Sequence, residues 1–87
     1  MRLSDAEIRR LGNRLSRLAG QARGVQKMLE GGRDCEDVMM QLAAMKAAVS
    51  RIAADLIASN LEECVARGPE PEREERLERL KEALARF

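Results

Sequence analysis

The residues best suited to chemistry in this 87-residue chain are two cysteines, Cys35 and Cys64, because a thiolate acts as nucleophile, redox partner or soft metal ligand. No histidine accompanies them. Its absence removes the commonest general base and the commonest metal ligand together, which excludes hydrolases built on Ser-His or Cys-His pairs. If one regular helix carries both cysteines, their 29-residue separation corresponds to roughly 43 Å, whereas a disulfide requires Cα atoms within about 7 Å. One chain cannot close that bond on itself. Yet 29 steps of about 100° return to within about 20° of the starting direction, so both thiols share one side of such a helix. Two of these helices packed antiparallel about a two-fold axis set Cys35 of one copy opposite Cys64 of the other, twice over. Asn60, one turn before Cys64, shares its face and suits either orienting a sulfur or hydrogen-bonding a neighbouring chain. On residue types alone, each cysteine also fits as a small apolar residue in a helical seam. Met28, Met39, Met40 and Met45 likewise fit as core filler rather than as copper ligands.

Helices must position these side chains. Ser4 followed by Glu7 has the spacing of a capping box, which satisfies the free amides of a first turn. Ile8, Leu11, Leu15, Leu18, Ala22, Val25 and Leu29 then recur at alternating steps of three and four, predicting a helix over about 4–30 that stops at Gly31-Gly32. Asp34 offers the next N-cap. Val38, Leu42, Met45, Val49, Ile52 and Leu56 repeat the pattern in a second helix over about 34–67, closed by Gly68-Pro69. So short a connection folds the two into an antiparallel hairpin. Glu70-Pro71 opens a third helix over about 71–86, with Leu77, Leu80, Leu84 and Phe87 apolar and Glu72–Arg76, Glu75–Arg79 and Glu82–Arg86 at i,i+4 spacing. The expected fold is therefore all-α, a three-helix protomer in a single domain of residues 1–87, with no strand. Its core side chains are small, since many of the apolar residues are alanine and only Phe87 is aromatic, so self-association is expected.

Charge is unevenly spread although the net value is only +1. Residues 1–33 hold eight Lys/Arg against three acids, and the remainder is acidic. Arg10, Arg14, Arg17 and Gln21 recur at i, i+4, i+7 and i+11, forming one stripe away from the apolar seam. Such a stripe is either a solvated face or a surface that tracks phosphates, for which guanidinium forks are well shaped. Without aromatic side chains to stack bases, single-stranded nucleic acid is a poor partner and duplex DNA the better one. No helix-turn-helix is visible. There is no apolar run near membrane-spanning length and no secretory leader pattern, so the expected place is the cytoplasm, where two cysteines stay reduced, reactive or metal-binding.

Several runs together resemble one family. They are Arg14-Leu15-Ser16-Arg17-Leu18-Ala19-Gly20-Gln21-Ala22-Arg23-Gly24, then Asp34-Cys35-Glu36-Asp37-Val38, then Gln41-Leu42, and finally Asn60-Leu61-Glu62-Glu63-Cys64-Val65. Across about residues 8–66 these are similar to the CsoR/RcnR family of bacterial repressors. The resemblance implies an all-helical homotetramer, a dimer of dimers in which hairpins pair as four-helix bundles, binding duplex operator DNA without a helix-turn-helix. It makes Arg14, Arg17, Gln21 and Lys46 the leading DNA-contact positions, although Lys46 also suits a snorkelling surface lysine. Copper-sensing members carry cysteines matching Cys35 and Cys64 and a histidine where this chain has Asn60. The persulfide-sensing branch, CstR, has asparagine there, and the strings around Cys35 and Asn60–Val65 look most like that branch.

The resulting expectation is a non-enzymatic repressor without cofactor or resident metal. Reactive sulfur species would release it from DNA by linking Cys35 to Cys64 of a neighbouring protomer, with Asn60 supporting the thiols. The alternative is a copper(I)-sensing repressor that uses the two thiolates as ligands. A thiol or sulfur carrier and a plain coiled-coil assembly module are the rivals from other classes. The carrier lacks acid–base residues other than carboxylates and lysine near the thiols, and the module leaves the arginine stripe unexplained.

Overall fold

The hydroxyl oxygen of Ser4 accepts the Glu7 N–H at 3.1 Å while the hydroxyl itself reaches the Glu7 carboxylate at 3.3 Å, and the chain enters its first helix at this point. The computed structural model describes residues 1–61, 64 and 72–87. They form three helices, α1 (Asp5–Glu30), α2 (Cys35–Ser59) and α3 (Glu72–Leu84), with no strand among the described residues. None of these helices is long and apolar enough to cross a membrane. The chain divides into two compact units, one of Ser4–Ala53 and one of Met1–Leu3 with Ala54–Phe87.

In the first unit, α1 ends through a glycine turn that satisfies its last carbonyls. Gly31 N–H donates to Lys27 O at 2.9 Å, Gly32 N–H to Leu29 O at 3.3 Å, and Arg33 N–H back to Met28 O at 3.0 Å. Gly32 sits at φ 66°, in the left-handed region, which glycine enters at no steric cost. Two residues later the backbone carbonyl of Asp34 accepts from Asp37 and Val38, placing Asp34 at the cap position expected for it and Cys35 as the first residue of α2. The two helices run antiparallel: Arg14 and Leu18 of α1 line the same pocket as Ala48, Arg51 and Ile52 of α2, low numbers meeting high ones.

The apolar seam divides in two. On α1, Leu11 and Val25 are 6% and 8% exposed and Leu18 is half-buried, whereas Ile8 and Leu15 are 54% and 52% exposed and Leu29 is also open. Leu11, Leu18 and Val25 advance seven residues at a time, as do Ile8 and Leu15, with Leu29 two such steps further on. On α2 the same division recurs, with Val38 buried and Met45 and Ile52 half-buried, while Leu42 and Val49 lie exposed. One stripe of each heptad pattern is thus withdrawn from water inside the hairpin unit, and the other is left on its outside.

In the second unit the observed helix departs from the expected one. α2 ends at Ser59, short of the close expected at about Arg67, which lies outside the described residues. At Asn60 the backbone N–H is shared between Leu56 O at 3.1 Å and Ile57 O at 3.3 Å, and the side-chain amide also donates to Leu56 O at 3.3 Å. An asparagine amide competing for the helix's own acceptors is a known cause of irregular backbone, and it accounts for the stop. Helical backbone is found again at Leu61 and at Cys64, whose N–H donates to Asn60 O at 2.9 Å, so the count of turns from Cys35 to Cys64 runs across an interruption at Asn60 rather than along one regular helix. Glu62, Glu63, Val65, the close at Arg67 to Pro69 and the opening at Glu70-Pro71 lie outside the described residues. α3 begins with Glu72, Glu74 and Glu75 against the positive end of its dipole, buries no side chain, and carries an exposed Lys81–Glu78 pair at 3.3 Å.

The glycine turn gives a test of opposite signs. Gly32→Ala meets no atom within 4 Å, so its cost is the backbone conformation alone, about 1–2 kcal/mol of lost stability. Gly24→Ala, mid-helix and equally open, is expected to stabilise by about 0.5–1 kcal/mol in the same urea titration.

Candidate functional site

Two groups of side chains stand out, and the first is cationic. Arg14, Arg17 and Gln21 of α1 and Arg51 of α2 surround a pocket of about 240 Å³ floored by Leu18, Ala48 and Ile52, all within the Ser4–Ala53 unit. Three arginines line it, and among the described residues no acid does. Arginine keeps its charge at any physiological pH and presents paired N–H donors at the spacing of phosphate or carboxylate oxygens, so this surface is built for an anion with several oxygens. Arg14 is half-buried, while Arg17 and Arg51 are exposed.

The stripe expected along α1 is only partly gathered into this site. Arg14, Arg17 and Gln21 come together, whereas Arg10 and Lys46 do not line the pocket and stand exposed elsewhere on their helices. Arg51 was missing from the expectation. Its signal was present all the same: in an antiparallel hairpin with a turn at Gly31–Asp34, the residue facing Arg14 lies near position 51, and Arg51 is a lone cation in an otherwise small and apolar stretch.

The second group is the thiols. Cys35 is exposed at the start of α2 in the first unit, and Cys64 is half-buried in the second. The backbone N–H of Cys64 donates to Asn60 O at 2.9 Å, so the two residues remain one turn apart although α2 has ended. The Cys64 thiol points at the thioether sulfur of Met1, with Sγ–Sδ 3.7 Å. Asn60 is 9% exposed and its amide nitrogen is engaged with Leu56 O. It therefore shapes the backbone that carries Cys64. An amide also offers no soft donor atom. Among the described residues no three His, Cys, Asp or Glu side chains cluster as a metal cage.

Comparison with known proteins follows the same lines. Residues 7–86 match the family described as metal-sensitive transcriptional repressor. Over 63 residues the chain is 40% identical to the copper-sensing transcriptional repressor CsoR of Bacillus subtilis (strain 168), covering 72% of this chain and 62% of that one. It is 39% identical over 54 residues to the copper-sensing transcriptional repressor RicR of Mycobacterium tuberculosis, covering 62% and 56% respectively. The chain thus spans about three fifths of the length of these relatives. The crystal structure of the copper-sensing repressor CsoR with Cu(I) from Geobacillus thermodenitrificans NG80-2 resembles it over 100% of this chain and 92% of that chain, with a TM-score of 0.80 at 33% identity.

Asn60 can be tested directly. Asn60→Ala removes a buried amide whose bond to Leu56 O holds the end of α2, and is expected to cost about 1 kcal/mol in thermal unfolding. Ser59→Ala, one residue earlier and exposed, should change stability by less than about 0.5 kcal/mol.

Proposed function

The chain belongs to the CsoR/RcnR family of metal-sensitive transcriptional repressors, and from that premise we propose that it holds operator DNA through its arginine pocket and releases it when a soft effector occupies Cys35 and Cys64. The observation that carries the DNA reading is that Arg14, Arg17, Gln21 and Arg51 line one pocket, with no acid among its described lining residues. A duplex phosphate backbone is the polyanion such a surface fits, and affinity from it comes chiefly from counterion release. Arg10 and Lys46, off the pocket, extend the basic surface to flanking phosphates.

Assembly follows from the outer half of the seam. Ile8, Leu15 and Leu29 of α1 and Leu42 and Val49 of α2 form apolar stripes that stay exposed among the described residues, and a second copy of the hairpin covers them as a four-helix bundle. Pairing of two such dimers gives a homotetramer and multiplies the arginine pocket fourfold. It works in the cytoplasm, where its thiols remain reduced.

For the effector, copper(I) is supported by the copper-sensing relatives and by the softness of thiolates. The residues that would hold it are Cys35 and Cys64 of neighbouring copies, and binding requires both to give up their protons. A second reading is favoured by Asn60. Copper-sensing members have histidine at that position and the persulfide-sensing branch CstR has asparagine, and the Asn60 amide here is committed to Leu56. In that reading a polysulfide donates a sulfur atom to one thiolate, and the other thiolate attacks the persulfide. The products are an interprotomer disulfide and hydrosulfide, the sulfur donor being reduced as the two thiols are oxidised.

Fluorescence anisotropy on the promoter duplex of the chain's own operon tests both parts. Arg14→Ala, Arg17→Ala and Arg51→Ala are each expected to weaken binding at least tenfold, about 1.4 kcal/mol, and to flatten its salt dependence, while Arg79→Ala on α3 leaves it nearly unchanged. Equal effects of all four would defeat the pocket assignment. Release by stoichiometric copper(I), with tighter copper binding in Asn60→His, is the outcome for a copper sensor. Release by polysulfide alone, with a reductant-sensitive dimer on a denaturing gel that either Cys35→Ala or Cys64→Ala abolishes, is the outcome for a sulfur sensor.

A further inference from the structure

We propose that Met1 is a soft metal ligand, its thioether sulfur joining the Cys64 thiolate on copper(I). The inference rests on the copper reading above and adds to it a donor that the cysteine pair does not contain.

The geometry comes first. Met1 Sδ lies 3.7 Å from Cys64 Sγ, and both residues belong to the same compact unit. With metal–sulfur bonds near 2.3 Å, two sulfurs at this separation subtend about 107° at a shared ion. That angle suits three- or four-coordinate metal and is far from the 180° of an ion held by two sulfurs alone. The Cys64 thiol already donates its hydrogen toward the thioether, so loss of that proton leaves a thiolate and a thioether lone pair facing the same point.

Donor chemistry comes second. The whole chain lacks histidine, and the Asn60 amide nitrogen is bound to Leu56 O, so neither can add a soft donor beside Cys64. Met1 can, since thioethers rank with thiolates in preferring copper(I). At 61% exposure Met1 contributes little to packing, and an ion can reach it without opening the fold.

The test uses full-length protein released from a cleavable fusion, either with its own Met1 or as Met1→Leu, and bathocuproine disulfonate as the competing copper(I) chelator. Intact mass establishes that Met1 is retained, and circular dichroism that Met1→Leu folds alike. The expected result is a copper(I) affinity about tenfold weaker for Met1→Leu. In selenomethionine-labelled protein, copper K-edge absorption should show a copper–selenium path that disappears in Met1→Leu although Met28, Met39, Met40 and Met45 remain labelled. Equal affinities, a selenium path that survives in Met1→Leu, or a native chain that lacks Met1 each overturn the assignment while leaving the copper reading intact. A wild-type protein that binds no copper(I) at all overturns both.

Discussion

Everything in this molecule depends on how a small apolar inventory is divided. Each of the first two helices carries a heptad pattern, but a hairpin of two helices can cover only one stripe per helix. Leu11, Leu18 and Val25 and the set Val38, Met45 and Ile52 take the inner places, and even there no described side chain is wholly withdrawn from water. At roughly 25 cal/mol per Å² such partial burial offsets little of the entropy of ordering the chain, which is why the outer stripe matters as much as the inner one. The same division fixes the arginines. With the apolar stripes pointing inward and outward, the angular space that remains on α1 is where Arg14, Arg17 and Gln21 stand, and antiparallel pairing sets Arg51 beside them.

Much of this was legible beforehand because it depends on local spacing. The Ser4–Glu7 cap, the stop at Gly31-Gly32 and the start after Asp34 each come from a few residues acting on their own backbone, and they form as expected. What spacing alone did not separate was which half of each seam the hairpin would bury, since Ile8 and Leu11 are equally apolar and only the partner helix distinguishes them. Arg51 escaped for a related reason: it joins the stripe through tertiary pairing, with no periodic relation to Arg14 along the chain.

The expectation failed at Asn60, and the failure is instructive. Apolar periodicity continues through Leu56, so the pattern extends the helix, but a side-chain amide that reaches the carbonyl of Leu56 can end it whatever the pattern says. Relating Cys35 to Cys64 by counting turns assumed a regular rod, and the backbone departs from that regularity at Asn60. Met1 lay beyond sequence reasoning altogether, because 63 residues separate it from Cys64 and no local rule joins them.

The arginine pocket has one more consequence, for the protein when it is alone. Arg17 and Arg51 stand exposed on one surface beside Arg14, which has a partner of its own, and among the described residues no acid lines their pocket, so the site carries a local excess of positive charge. An anion seated there discharges it. If the pocket holds phosphates as proposed, dissolved salt acts on the two forms differently, screening the excess charge of the free protein while competing with the polyanion in the complex.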